Sequence, residues 1–369
     1  MLKNKICIDL GSSEIKTIYQ LGNNHPTAIT LLPNIGQISE SRLNHHRSLN
    51  QTLKLSEDIS WITTTKKAST AIATDSLAYE FYEITNLNKL KTDEGCYRIA
   101  ATIGKMFLLE GVTPYENFPL SITLLLPYNE FKKEKIQAFK IVLKKILKKY
   151  YYRDNKITIE PKEIKVYPEG LGILTLRNQS SQLENGKKTI IIMIGHRNTS
   201  YLIFEGIKYE SGKTINLGFH SFLEMFCKKS VGQEENRETV LALWKARENP
   251  NYLTKIVKSQ IQENRENELA VLTKNFHNLR KELWSNINEW LKKELNNFEY
   301  HELLFAGGTS EFLQPYINEE FKMKTIKPRL MTKSLAQDIE KFLILKTEKK
   351  EDLLMRLADC YGLFQEVYN

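Results

Sequence analysis

Apolar and polar positions along this chain fall into two rhythms, and the clearest stretch is residues 5–20, KICIDLGSSEIKTIYQ. Ile6, Cys7 and Ile8 form a short apolar run, Asp9 ends it, Gly11-Ser12-Ser13 makes a polar turn, and Ile15, Ile18 and Tyr19 carry a second run. This predicts two strands joined tightly. A weaker copy lies at 189–204, TIIIMIGHRNTSYLIF: an apolar strand, Gly195, a polar turn (His196, Arg197, Asn198, Thr199, Ser200), then apolar residues from Tyr201. Gly11 and Gly195 stand 184 residues apart, half of the 369-residue chain. An internal repeat at that period predicts two similar domains.

The remaining elements follow from the same patterning. SITLLLP at 121–127 is a fully apolar run bounded by prolines, the pattern of a buried central strand. A helix is predicted over 131–150, with Ile136, Phe139, Leu143, Ile146 and Tyr150 on one stripe and lysines on the other. A strand at 164–167 runs into Pro168-Glu169-Gly170 and a small-residue helix at 170–176. The polar stretch 178–188 reads as a domain linker. Residues 57–74 read as strand, turn, strand, and 95–110 as a helix. An outer strand is expected at 208–214, a helix at 217–227, and a mostly helical, charged region from 233 to 298, strongest at 279–298. Glu302–Phe305 is a strand that meets Ala306-Gly307-Gly308-Thr309 and a helix at 310–316. The last helix, 350–365, contains Gly362, which costs about 1 kcal/mol relative to Ala in a helix and so suggests a close helix crossing.

Composition narrows the class. Hydrophobic residues make up 41% of the chain, which suits an ordinary two-domain globular protein. The net charge of +9 comes from 53 Lys+Arg against 44 Asp+Glu. Many lysines sit in pairs such as Lys132-Lys133, Lys144-Lys145, Lys148-Lys149 and Lys349-Lys350, which read as solvated helix faces. No direct nucleic-acid motif accompanies them. Cys7, Cys96, Cys227 and Cys360 are far apart, with no metal or disulfide spacing, and favour a reducing compartment. The apolar run near the N-terminus breaks at Asp9, unlike a signal peptide, and no stretch reaches the ~20 apolar residues of a membrane span, so a cytoplasmic protein is expected. His45-His46 has no acidic or Cys neighbour at ligand spacing and reads as a surface loop.

The turns carry the candidate chemistry. Gly11 lets backbone approach a ligand, and Ser12 and Ser13 offer donors for phosphate oxygens. Asp9 is placed to hold a divalent cation through water, and Lys16 to reach the same phosphates. The second turn offers Gly195, His196, Arg197, Asn198 and Thr199, with Arg197 either pairing with a phosphate or facing solvent. At Gly307, Gly308 and Thr309 a strand passes through two glycines into a helix N-terminus, a place where backbone meets ligand or a plain strand-to-helix turn. Trp284 and Trp290 lie on a core stripe. Glu169 reads either as a functional carboxylate or as an acid favoured by a helix N-terminus.

These segments, in this order, resemble the actin and sugar-kinase ATPase superfamily. The compact size and the GHRNTSY turn look most like its prokaryotic actin-like branch, the ParM/StbA-type plasmid-segregation ATPases. The resemblance implies a two-domain α/β actin-like (ribonuclease H-like) fold with a nucleotide cleft between the domains. It places domain I at 1–177 with 350–369, carrying an inserted subdomain at about 31–117. Domain II is then 188–349, with a helical insertion at about 231–299. It implies ATP or GTP with Mg2+ as cofactors, Asp9 near the metal, Lys16 near the phosphates and Gly307–Gly308 against the nucleoside. Glu169 would orient the attacking water, making it the catalytic residue. It implies assembly with copies of itself into filaments, and a DNA-binding adaptor as partner. Three positions depart from the pattern: Met193 stands where an Asp is usual, Ser200 where another Asp is common, and Ala306 where a third glycine is common. Two other classes stay open: a degenerate, non-hydrolysing structural or adaptor protein, and a small-molecule kinase, for which Asp154 in a turn-like stretch is no clear catalytic base.

Overall fold

The computed structural model describes residues 4–53, 55–66, 68–80, 90–113, 116–180, 187–324, 326, 329–330, 333–347 and 353–368. The first apolar runs form β1 (Asn4–Asp9), β2 (Ile15–Leu21) and β3 (Thr27–Leu31), an antiparallel meander in which Asp9 pairs with Lys16 across the first turn. Next come β4 (Ile35–Ile38), α1 (Glu40–Thr52), β5 (Ile59–Thr63), β6 (Ala71–Asp75) and α2 (Lys91–Glu110). β7 (Phe118–Leu126) lies parallel to β1 and is buried at every residue except half-buried Pro119. A strand covered on both faces needs apolar side chains throughout, which is why its sequence shows no alternation. Then follow α3 (Lys133–Lys148), β8 (Tyr150–Tyr152), β9 (Asn155–Ile157), β10 (Ile159–Pro168), parallel to β7, and α4 (Leu171–Ser180).

The second half starts afresh with the meander β11 (Lys188–Ile194), β12 (Thr199–Glu205) and β13 (Lys208–Ile215). Helices α5 (Phe219–Lys229), α6 (Arg237–Ala246) and α7 (Gln262–Leu295) precede β14 (Glu302–Ala306), which pairs in parallel with β11. After α8 (Gly308–Glu320) and β15 (Arg329–Leu330), α9 (Lys333–Phe342), β16 (Ile344–Leu345) and α10 (Leu353–Tyr368) complete the chain. Two units result: 1–182 with 332–369, and 183–331. Their main sheets share a strand order, β10-β7-β1-β2-β3 in the first and β15-β14-β11-β12-β13 in the second, with β16 added beyond β3. The half-chain repeat is therefore a repeat of topology.

Several boundaries differ from those expected. Helix α2 starts at Lys91 and belongs to the main core of the first unit, where Ile99, Ile103 and Met106 join Ile6, Ile8 and Ile122. The inserted part is smaller, a sheet ordered β4-β6-β5-β8-β9 over its own cluster around Trp61, Leu43 and Leu77. It borrows β8 and β9 from outside 31–117, because three consecutive tyrosines favour a strand over one more helical turn. Tyr150 therefore leaves the α3 stripe, whose buried members are Phe139, Leu143 and Leu147. His45 and His46 lie on α1, with His46 buried near Trp61. In the second unit the helices of 231–299 pack with the sheet in one core through Phe222, Phe276 and Phe312, so they have no core of their own. Residues 332–349, expected with the second domain, fall with the first unit, where β16 pairs with β3. The expected linker falls largely on 181–186, and Lys349-Lys350 also lie outside the described residues.

Candidate functional site

In open α/β sheets ligands gather beyond the carboxyl ends of the parallel strands. In the first unit those ends belong to β1, β7 and β10, and they bring Asp9 together with the residues after Pro168. Asp9 is the last residue of β1 and only 6% exposed. One of its oxygens, Oδ2, accepts from the Lys16 ammonium, while Oδ1 is buried with no hydrogen-bond partner. Burial pushes its pKa up, but Lys16 and Lys91 outweigh burial and hold the carboxyl below its ordinary value. Glu169, anchored by its backbone N–H on the Leu126 carbonyl at 2.9 Å, is paired with the Lys91 ammonium. Burial raises the Glu169 pKa, Lys91 opposes it, and the charge on Asp9 adds to the rise.

Lys91 carries no spacing signal in the sequence, because α2 delivers it from 78 residues away. The buried Glu130 carboxylate holds it in place by accepting the first free N–H groups of α2, Lys91 and Thr92, each at 2.9 Å. Burial would lower the Lys91 pKa, yet Glu169 and Asp9 raise it above the ordinary lysine value, so the ammonium stays charged.

Helix α10 sets the rest. Asp359 accepts from the N–H groups of Gly170 at 2.7 Å, Gly172 at 2.8 Å and Ile173 at 3.3 Å, capping α4 from outside its own sequence. Burial, with Asp9 and Glu169 nearby, pushes the Asp359 carboxyl up to about 7, against the pull of the Gly170 hydrogen bond. A Cβ on Gly362 would lie 2.0 Å from the Gly172 carbonyl oxygen, and one on Gly172 1.8 Å from the Asp359 carbonyl oxygen. The two helices cross backbone on backbone, as Gly362 suggested. Arg356 reaches Glu14 at 3.0 Å and Ser13 Oγ at 3.1 Å, tying α10 to the first turn. Gly11 is demanded by that turn itself, since a Cβ would meet the Glu14 carbonyl oxygen at 2.3 Å. Ser12 is half-buried and Ser13 exposed beside it.

The second unit repeats the arrangement without the carboxylates. The ends of β11 and β14 bear Gly195 and Gly307. Gly307 has φ +90°, and a Cβ there would sit 2.4 Å from the Ile194 carbonyl oxygen, so only glycine fits. The Gly195 N–H donates to the Asn198 carbonyl at 2.9 Å and closes the turn. Thr199 is fully buried and donates to the Leu217 carbonyl at 2.6 Å, and Thr309 donates to the Gly195 carbonyl at 2.7 Å. Both hydroxyls therefore brace the turns from inside. His196 stacks on Phe219, and its carbonyl accepts the His220 N–H at 2.8 Å. Arg197 and Asn198 are half-buried on the same turn, and Gly308 opens α8. Met193 pairs with Ser200 on β12 and Ala306 on β14, and Ser200 is bonded to Thr214 at 2.8 Å.

No protein-family model matches the sequence, and no curated protein matches it. Solved structures do. A 15-stranded ParM filament from Clostridium botulinum aligns over 98% of this chain and 99% of that one, with TM-score 0.62 and 18% identity. An archaeal actin homologue in complex with ADP aligns over 97% of both chains, with TM-score 0.58 and 14% identity. The AlfA filament of a B. subtilis plasmid covers 99% of both, with TM-score 0.55 and 12% identity.

The fold is actin-like.

In this actin-like chain the Asp154 of the open kinase reading is engaged elsewhere. It sits in the β8–β9 turn with φ +62° and pairs with Arg47 through both oxygens at 3.0 Å. Among the described residues no group of three His, Cys, Asp or Glu could hold a metal ion, and no helix is long and apolar enough to cross a membrane. A hydrated divalent cation still fits Asp9, because magnesium keeps most of its waters and needs one or two carboxylates. The Asp9 Oδ1, buried without a hydrogen-bond partner, is an acceptor of the kind such a water needs.

Proposed function

We propose that this chain binds ATP with Mg2+, assembles with copies of itself into filaments, and hydrolyses the nucleotide at Glu169. The observation that carries the reading is the Asp9–Lys16–Lys91–Glu169 cluster at the carboxyl ends of β1 and β10, with one Asp9 oxygen left unsatisfied. A buried unpartnered acceptor costs about 1–3 kcal/mol, which a bound cation's water would recover. The magnesium neutralises phosphate charge when bound. The residues do the rest: Asp9 accepts from its waters, Lys16 sits over the first turn, and Lys91 keeps Glu169 fixed through one oxygen so that the other can accept from the attacking water. The ADP complex of the archaeal homologue and the filaments of ParM and AlfA support nucleotide binding and self-assembly for this fold. DNA segregation or cargo positioning through an adaptor, in the cytoplasm, would follow.

Met193 favours a second reading, a filament that holds nucleotide without turning it over, because the second unit offers no carboxylate at that position. Phosphate release measured beside light scattering separates the two. Repeating the assay with GTP decides the base preference.

A further inference from the structure

Residues 132–149, helix α3 and its flanks, contain eight lysines and a single acid, Glu134, a net +7. The other 351 residues hold 45 Lys+Arg against 43 Asp+Glu, a net +2, so one helix carries most of the chain's +9. All eight lysines except half-buried Lys140 are exposed. Among the described residues none of the eight forms an ion pair, whereas lysines elsewhere meet acids, as Lys213 does Glu294 at 2.6 Å and Lys292 does Glu320 at 2.9 Å.

This arrangement works against the helix. Lys140, Lys144 and Lys148 follow one another at four-residue steps along the helix, and like charges at that spacing repel. Lys132 and Lys133 stand at the N-terminal end, where the helix dipole disfavours cations. The core needs only Phe139, Leu143 and Leu147 from α3.

We propose that the exposed face of α3 is a docking surface for the phosphate backbone of duplex DNA, bound without reading its sequence. Lysine is a point charge suited to phosphate, and this face has no arginine fork to address base edges. At 16 residues α3 is roughly 24 Å long, a straight row of cations alongside a polymer with one charge per about 1.7 Å. A lipid surface fits less well. Interfacial helices bury a whole apolar face, and α3 has spent its own on the core, leaving only Ile141 and Val142 exposed, at 68% and 50%. The inference stands apart from nucleotide binding and gives the chain a contact with DNA that needs no adaptor.

The test is fluorescence anisotropy of a labelled random duplex of about 30 base pairs, with nucleotide-free protein, between about 50 and 200 mM salt. With about five phosphates neutralised, affinity should fall about 500-fold over that range. Replacing Lys133, Lys144, Lys145 and Lys148 with Gln, a residue of similar helix propensity, should weaken binding at least ~10-fold and flatten the salt slope by about 0.9 per lost contact. The same four-fold replacement at Lys228, Lys255, Lys281 and Lys293, exposed in the second unit, should leave the slope nearly unchanged. Equal loss in both variants, no binding by the unaltered protein at the lowest salt, or binding to phosphatidylserine vesicles but not to the duplex would each overturn the proposal.

Discussion

Replacing Gly362 with Ala tests whether the α4–α10 crossing holds the site in shape. The added Cβ would lie 2.0 Å from the Gly172 carbonyl oxygen, against the 3.4 Å at which ordinary contact begins, so the helices must part by about 1.4 Å. Alanine returns about 1 kcal/mol of helix propensity. Against that, overpacking costs about 1–3 kcal/mol, and above pH 7, where Asp359 is ionised, its hydrogen bonds as a charged group contribute about 1.5–3 kcal/mol each. Asp359 makes three such bonds to the start of α4, and parting the helices by that distance stretches them all. Losing the best part of one gives a net destabilisation of about 3 kcal/mol. Glu169 precedes α4 by two residues, and a misplacement of about 1 Å can cost about 100-fold in rate. Urea unfolding followed by far-ultraviolet circular dichroism reads the first effect, and phosphate release the second. Lys274→Ala is the control, an exposed position on α7 that forms no ion pair among the described residues. If Gly362→Ala matched that control in both assays, the crossing would have no role in positioning Glu169.

Lys91→Met should lower stability by about 3 kcal/mol, as breaking a buried pair does, and push the Glu169 pKa further up, moving the pH dependence of phosphate release to higher pH. An unchanged profile would remove Lys91 from the account. Asp9→Asn should abolish the rise in melting temperature that ATP with magnesium gives the unaltered protein, a rise worth about 2.7 kcal/mol at a hundredfold excess over Kd. Persistence of the rise would place the cation elsewhere. Asp359 is raised to about 7 from 3.8, so the folded state holds its proton more tightly than the unfolded chain does. Its contribution to stability is full below pH 4 and is lost as pH rises through 7, by about 4 kcal/mol in all. The stability deficit of Asp359→Asn should therefore shrink from pH 4 to 7, and a constant gap would contradict the assignment.

Local patterning carried the strands and turns well, because β1, β2, β7 and β11 are set by runs of apolar residues and by Gly11 and Gly195. Even the backbone crossing was foreshadowed by Gly362, a glycine where a helix would prefer otherwise. The partners of those residues were not legible. Lys91, Glu130 and Asp359 reach their partners across 39 to 189 residues, and nothing in their own neighbourhoods marks them. Thr199 suggested a phosphate ligand and Thr309 a place in the nucleoside turn, but burial turned their hydroxyls onto carbonyls. Boundaries failed where tertiary packing overrode periodicity: Tyr152 fits against Gly104 of α2, where a Cβ would meet its ring at 2.3 Å, and this contact draws Tyr150–Tyr152 into a sheet.

The most direct test of the central claim is 90° light scattering of the purified protein with ATP and magnesium, with phosphate release followed in the same sample and Glu169→Gln run beside it. The account predicts a rise in scattering that decays as phosphate appears. In the variant the rise should persist, with phosphate release about 100-fold slower or more. No rise at any protein concentration, or equal phosphate release by both proteins, would contradict it.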